Sequence, residues 1–242
     1  MRTAAALIIG NELLTGKIAD ANVLVLARAL RLLGVQLKRV VMVLDDIDVI
    51  AQEVRALSSS HDWLFTSGGV GPTHDDVTID AVALAFGAKV ISSAPMEQML
   101  RDAYGDKLTE GHLLMARIPE GARLASNAKM PWPTVVMKNV WVLPGVPEIF
   151  QAKLPLIRDE LGADQPFVSH AVFTTLDEGT LKPMLDSVVA AHPDIEIGSY
   201  PRWSGLEYRT KLTFDGLDPA RVQAARDAFA ASLPEGAVVR VE

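Results

Sequence analysis

The hydrophobic residues of the first 160 positions form short continuous runs separated by amphipathic stretches. Residues 4–9 form one such run, which Gly10 ends, and residues 63–66 form another, whereas residues 35–44 are rich in Val and Leu and predict a strand between them. Continuous apolar runs of this length are typical of interior strands of a parallel sheet, because both faces of such a strand are covered. The stretches between and after the runs predict helices at residues 22–33, 47–57 and 77–86. This alternation predicts a three-layer α/β/α fold with a mostly parallel sheet.

The pattern becomes less regular after residue 88. Residues 89–91 predict a short strand, and residues 95–116 are mostly helical in pattern. Two apolar runs, 135–137 and 140–143, flank Lys138-Asn139 and predict a β-hairpin. The second run leads into Pro144 to Glu148, where a proline and a glutamate suit the first turn of a helix.

A change of composition at residues 162–166 predicts a linker between two domains, residues 1–162 and residues 167–242. The second segment predicts the order β-α-β-β-α-β, which is a compact α+β module. Its strands are expected at residues 168–174, 195–200, 208–214 and 238–241, and its helices at residues 181–191 and 219–233.

Composition narrows the classes of function. The 242 residues carry a net charge of -7, so a broad basic face for nucleic acid is not expected. There is no cysteine, which excludes disulfides, thiolate metal sites and cysteine nucleophiles and fits a cytoplasmic location. No apolar stretch is long enough to cross a bilayer, so no membrane partner is expected.

Polar clusters follow the first three predicted strands, where the ligand crevice of a parallel sheet lies. They are Gly10-Asn11-Glu12, Asp45-Asp46 and residues 68–76. Glycines let a ligand approach the main chain, and a helix N-terminus suits an anion. Asp75 and Asp76 oppose a bare anion, so they indicate a bound cation or a donor group on the ligand. The segment therefore predicts a site for a small phosphorylated ligand.

Each candidate side chain also has a plainer interpretation. Asp45 or Asp46 could cap the following helix, and Asp76 could cap its helix while Asp80, four residues later on the same face, is solvated. Asp20 or Asn22 is expected to cap the helix that runs to Leu33, and for Asn22 capping is favoured over ligand binding. His74 is expected to be a solvated loop residue.

Three blocks of sequence carry a resemblance to a known family. Residues 10–16 read G-N-E-L-L-T-G, residues 66–78 read T-S-G-G-V-G-P-T-H-D-D-V-T and residues 143–147 read L-P-G-V-P. They resemble the molybdopterin-binding (MoaB/Mog-like) domain family, and within it the N-terminal part of the competence/damage-inducible CinA proteins. Ser67 replaces the first glycine of the second motif. Residues 127–133 replace the family's G-T-A-P-G-type loop, which leaves the substrate open.

The resemblance implies a molybdopterin-binding fold for residues 1–162 and a small KH-like module for residues 167–242. It implies metal-dependent cleavage of a nucleotide pyrophosphate of the ADP-ribose or FAD type, or else molybdopterin binding without hydrolysis. Homodimers or trimers are also implied, whereas the deamidase domain of longer CinA proteins has no counterpart in these 242 residues.

Site roles follow from the same resemblance. It implies catalytic roles for Asp45, Asp75 and Asp76, with a divalent cation (Mg, Mn or Co) held by Asp75 and Asp76. The expected ligand-binding residues are Asn11, Glu12, Ser67, Gly68, Gly69, Gly71, Pro72, Thr73, Thr78, Pro144, Gly145 and Pro147.

Overall fold

A computed structural model describes residues 2–128, 130–162, 165–204 and 207–242. The chain divides into two compact units, Met1–Asp164 and Gln165–Glu242. No helix in these four ranges is long and apolar enough to cross a membrane.

The first unit contains a six-stranded sheet and a separate two-stranded one. Its strands are β1 (Arg2–Ile9), β2 (Val35–Val43), β3 (Trp63–Ser67), β4 (Val90–Ser92), β5 (Arg117–Pro119), β6 (Arg123–Asn127), β7 (Met130–Met137) and β8 (Val140–Leu143). The main sheet has the order β2-β1-β3-β8-β7-β6. The first four strands in this order are parallel and β7 runs antiparallel to both its neighbours, which confirms the mostly parallel sheet. The short predicted strand, β4, pairs antiparallel with β5 outside this sheet.

Helices cover both faces of the main sheet. They are α1 (Asn11–Leu14), α2 (Asn22–Leu32), α3 (Ile47–Ser60), α4 (Thr78–Phe86), α5 (Ala94–Tyr104), α6 (Glu110–Leu114) and α7 (Pro147–Leu161). Alternate residues of β1 enter two different cores. Leu7 packs in a cluster with residues of α3 and α4, whereas Ile8 packs in a cluster with residues of α2 and α7. The continuous apolar run of β1 is therefore explained by burial on both faces.

The described residues of the segment 127–133 belong to the β6–β7 hairpin rather than to a free loop. β7 begins at Met130, five residues before the predicted start of this strand. Its pairing with β8 covers only Val135 to Met137, so the first part of β7 has a neighbour on one side only, β6. Prolines 131 and 133 are tolerated there because a strand with one open side leaves amide positions unpaired. This part of β7 extends beyond the carboxyl edge of the parallel strands.

The second unit has the predicted β-α-β-β-α-β order. Its elements are β9 (Val168–Thr174), α8 (Glu178–Ala191), β10 (Glu196–Pro201), β11 (Thr210–Gly216), α9 (Pro219–Ser232) and β12 (Val238–Val241). The strands form an antiparallel sheet with the order β10-β11-β9-β12. Both helices are capped by an aspartate, Asp177 and Asp218, whose side chains accept hydrogen bonds from first-turn amides. Its core is formed by residues such as Leu181, Phe214 and Phe229.

Candidate functional site

A crevice of about 640 Å³ lies at the carboxyl edge of the main sheet. It is lined by residues that follow β1, β2, β3 and β8 and by the first part of β7, so the polar clusters at the strand ends do converge. Of the site residues named from the sequence, those lining it are Glu12, Asp45, Ser67, Gly68, Gly69, Gly71, Pro72, Thr73, Asp75, Asp76, Pro144, Gly145 and Pro147. Asn11 and Thr78 do not line it, but Asn11 donates a hydrogen bond to Asp45 and Thr78 donates one to Gly68.

The glycine loop after β3 packs closely against the end of β1 and the residues that follow β8. Gly68 and Gly69 have φ values of 110° and 65°, which L side chains rarely adopt. The buried Thr78 hydroxyl donates to the Gly68 carbonyl at 2.8 Å, and the Thr78 amide donates to Gly69 at 3.0 Å. Thr78 therefore stabilises the conformation of the glycine loop through these two hydrogen bonds. Ser67 has no positive φ, so serine fits where the family motif has glycine.

Of the two predicted caps of α2, Asp20 takes this role and Asn22 does not. Asp20, not Asn22, accepts the hydrogen bond from the Val23 amide at the start of α2. Asn22 is buried in the crevice wall, where its amide donates to the Ser67 hydroxyl at 2.9 Å and to the Gly145 carbonyl at 2.8 Å. It thus ties the ends of β3 and β8 together. Its side-chain oxygen has no hydrogen-bond partner among the described residues, so it could still accept a hydrogen bond.

Asp45 and Asp46 have separate roles. Asp46 caps α3 by accepting a hydrogen bond from the Val49 amide, whereas Asp45 turns to the crevice and accepts one from the Asn11 amide at 2.8 Å. Burial raises the pKa of Asp45, and the carboxylates of Glu12, Asp75 and Asp76 raise it further, against the lowering effect of the Asn11 amide. Like charges therefore face one another across this end of the crevice.

Asp76 lies in the loop and not on the helix, because α4 begins at Thr78. Its carboxylate accepts hydrogen bonds from the amide and the hydroxyl of Thr73, the first at 2.8 Å. The Thr73 hydroxyl also lowers the pKa of the exposed Asp75, and because it has one proton it serves one carboxylate at a time. His74 is almost fully exposed, 4.0 Å from the Asp75 carboxylate. Because Asp76 precedes α4, the expectation that Asp76 and Asp80 share one face of this helix is wrong.

Two basic residues that were not among the predicted site residues also line the crevice. Arg117 forms an ion pair with Asp80, so Asp80 is not simply solvated as the plainer interpretation had it. Lys153, on α7, is only 2% exposed and donates to the main-chain carbonyl of Trp132. Burial lowers the pKa of Lys153 to about 8. Trp132, from the altered segment 127–133, lines the same part of the crevice.

The acidic side chains of the crevice suit a divalent cation that binds together with a phosphorylated ligand. Among the described residues, no group of three or more histidine or acidic side chains is arranged to hold a metal ion. Asp75 and Asp76 could supply one or two carboxylates. Mg²⁺ is commonly held in this way, by one or two carboxylates together with substrate phosphates and water.

The burial of the Asp45 charge, together with its repulsion by the other acids, predicts a gain in stability when this charge is removed. Asp45→Asn keeps an oxygen for the Asn11 amide but removes a charge, so the metal-free protein at pH 7 should melt about 1–3 °C higher. The raised pKa means that folded Asp45 binds a proton more readily than unfolded Asp45. The gain should therefore shrink as pH falls through that pKa.

Asp46→Asn is the matched control, because asparagine also caps helices well and Asp46 lies outside the crevice wall. Thermal unfolding followed by circular dichroism measures both variants. Equal melting temperatures for Asp45→Asn and Asp46→Asn at pH 7 would contradict the repulsion.

The sheet, its two helical layers and the crevice define a three-layer α/β protein with a strand-end crevice. The chain belongs to the family described as a probable molybdopterin binding domain, whose family model matches residues 5–161. Residues 166–242 match the model of the middle domain of FAD synthase. The membership that the three sequence motifs indicated is thereby confirmed.

Individual relatives agree with this assignment. A CinA-like protein of Myxococcus xanthus is 36% identical over 233 residues, which are 89% of this chain and 55% of that protein. A probable FAD synthase of Caenorhabditis elegans is 31% identical over 88% of this chain and 46% of its own length. This chain thus spans about half the length of these two relatives. A crystal structure of CinA from Thermoplasma acidophilum, of unknown function, is 31% identical with a TM-score of 0.60, and covers 66% of this chain and 99% of that one.

Proposed function

We propose that the crevice binds a dinucleotide through its pyrophosphate and hydrolyses it with the help of a divalent cation. The products would be two nucleoside or sugar monophosphates, such as AMP with FMN from FAD, or AMP with ribose 5-phosphate from ADP-ribose. The observation that carries the proposal is the group of facing carboxylates, Glu12, Asp45, Asp75 and Asp76, beside a glycine loop.

The glycine loop and the carboxylates suit ligand groups of opposite charge. Main-chain amides of a tight glycine loop suit phosphate oxygens, whereas carboxylates repel them. A divalent cation held by Asp75 and Asp76 would offset the charge of the acids and of the pyrophosphate, and this would account for acids and glycines lining one crevice. The match of residues 166–242 to a domain of FAD synthase supports a nucleotide ligand, as does the similarity to a probable FAD synthase.

The chain's own groups would position the reactants. A bound cation would polarise a phosphoryl oxygen and lower the pKa of a water molecule. Asp76, fixed by Thr73, and Asp45, fixed by Asn11, would keep their carboxylates in the crevice wall, where a cation could be held. The water oxygen would form a bond to one phosphorus atom while the bridging P–O bond breaks. The departing phosphate would keep the bridging oxygen.

Product analysis tests this proposal. The purified protein should convert FAD to AMP and FMN, and ADP-ribose to AMP and ribose 5-phosphate, in the presence of Mg²⁺, Mn²⁺ or Co²⁺. Phosphorus NMR in ¹⁸O-labelled water should place the label on one product phosphate. Products that retain the pyrophosphate, or no products from either dinucleotide, would reject it.

A second candidate function is molybdopterin binding without hydrolysis, favoured by the family match of residues 5–161. The phosphate of the pterin would occupy the glycine loop, and its N–H donors would face the acids. Calorimetry should then show tight pterin binding in a protein that turns over no dinucleotide.

In either case the protein would assemble as a dimer or trimer, as the family resemblance implies, and light scattering would give a mass above that of one chain.

A further inference from the structure

The crevice is longer than its acidic part. Its wall takes residues from five neighbouring strands, β2-β1-β3-β8-β7, from Asp45 at one end to Trp132 at the other. With strands about 4.8 Å apart, four intervals make about 19 Å. The acids Asp45, Glu12, Asp75 and Asp76 follow β2, β1 and β3, and Asp20 lies just before α2. In the described part of the chain, no acidic residue of the crevice wall belongs to β7 or follows β8.

Lys153 is the charged group of this second end. Its ammonium has three donors, and the neutral Trp132 carbonyl is its one hydrogen-bond partner in the ranges that the structure describes. A buried charge without an opposite charge is costly, so an oxygen from a ligand would stabilise it. Arg117, the other basic residue of the crevice, is already paired with Asp80. Lys153 therefore has unused donors where a ligand would enter.

Trp132 gives this end its shape. It lies on the part of β7 that extends past the parallel strands, and it is half-buried against the core cluster that includes Met96 and Met115. Lys153 donates a hydrogen bond to the Trp132 carbonyl, and both residues line the crevice, so the ring and the ammonium belong to the same end of it. An indole in a crevice wall suits the face of a flat heterocycle.

We propose that Lys153 and Trp132 form a second subsite, which holds one half of a dinucleotide while the glycine loop holds its pyrophosphate. Lys153 donates to an oxygen of that half, and the ring of that half lies against Trp132. This subsite makes the crevice selective for ligands of two parts over mononucleotides. The inference rests on the proposed binding of a dinucleotide, but not on its hydrolysis.

Binding measurements with Ca²⁺ in place of Mg²⁺ test the subsite, because a divalent cation is then available to the acids and the pyrophosphate, and product analysis shows whether any turnover interferes. We would determine the dissociation constants of FAD, AMP and FMN at pH 7 by calorimetry for the unchanged protein and for Lys153→Gln and Lys153→Met. Glutamine can still donate to the Trp132 carbonyl but has no charge. Lys89→Met is the control, because Lys89 is exposed and lies outside the crevice wall.

Both Lys153 variants should bind FAD about 10-fold or more weakly, since a hydrogen bond from a charged donor is lost. One of the two halves, AMP or FMN, should lose affinity to a similar extent, and the other should change less than about twofold. Lys89→Met should match the unchanged protein. Lys153→Met should also melt no lower than the unchanged protein, because it removes a buried charge.

The pH profile gives a second readout. The affinity of the unchanged protein for FAD should fall between pH 7 and pH 9 as Lys153, with a pKa of about 8, loses its proton. Lys153→Gln should lack this dependence. The other charged residues that line the crevice are Glu12, Asp20, Asp45, Asp75, Asp76 and Arg117.

Three results would overturn the subsite. Lys153→Gln with unchanged affinity for FAD would show that the lysine only supports Trp132. Equal losses for AMP and FMN would show a general disturbance of the crevice. An unchanged protein that binds neither FAD nor its halves would reject it too, whereas absence of hydrolysis with FAD still bound would reject only the proposed activity.

Discussion

Asp76→Asn should lower the rate of dinucleotide hydrolysis at least about a hundredfold. Asparagine keeps an oxygen that can accept from the Thr73 amide, so the loop should hold its shape. The negative charge that would hold a divalent cation is lost. Initial rates of AMP release from FAD and ADP-ribose, measured with saturating metal, give the size of the effect.

Asp46→Asn is the control for this measurement as well. It removes the same charge at a nearby strand end, but Asp46 caps α3 and does not line the crevice. Its rate should stay within about twofold of the unchanged protein, because surface charges act weakly through solvent. Equal losses in the two variants would mean that net charge matters and the position of Asp76 does not. A fully active Asp76→Asn protein would exclude Asp76 from the reaction.

Gly68→Ala should have the largest effect on stability. A Cβ atom on Gly68 would lie 2.1 Å from the main-chain carbonyl oxygen of Ile9, at a φ of 110°. Either β1 and the glycine loop separate or the loop changes its backbone conformation. A cost of about 3 kcal/mol or more is expected from the clash and the strain together, which corresponds to a melting temperature about 6–12 °C lower. Thermal unfolding measures it.

Gly87→Ala separates the clash from the strain. Gly87, at the end of α4, has a φ of 65°, and a Cβ there would have nothing within 4 Å. Only the conformational cost of about 1–2 kcal/mol should appear in this variant. If Gly68→Ala were no less stable than Gly87→Ala, the glycine loop would not be packed against β1 as described.

The central sheet could be predicted because its signal is local. β1 is apolar at every position from residue 4 to residue 9, and in the structure alternate residues fill cores on opposite faces. The polar clusters were found for the same reason, since each directly follows a strand. Parallel strands then bring their ends together whatever the details of the loops.

The parts that sequence analysis missed depend on contacts between distant residues. Asp80 and Arg117 are 37 positions apart, and only the packing of α4 beside β5 brings them together. Lys153 stands in an amphipathic helix, where a lysine is normally exposed. Asp45 and Asp46 are adjacent and chemically equal, so the choice of cap depends on Asn11 holding Asp45 toward the crevice. Asp20 and Asn22 were both predicted as caps of α2, and only the contacts of Asn22 with Ser67 and Gly145 show that Asp20 takes this role.

The metal dependence of hydrolysis tests the central claim most directly. Purified protein, treated with a chelator and dialysed, would be incubated with FAD while Mg²⁺, Mn²⁺ or Co²⁺ is titrated and AMP release is followed. The carboxylates around the glycine loop predict no release without metal and a saturable rise with at least one of the three cations. Release that is independent of metal, or no release with any of them while FAD is bound, would contradict the account.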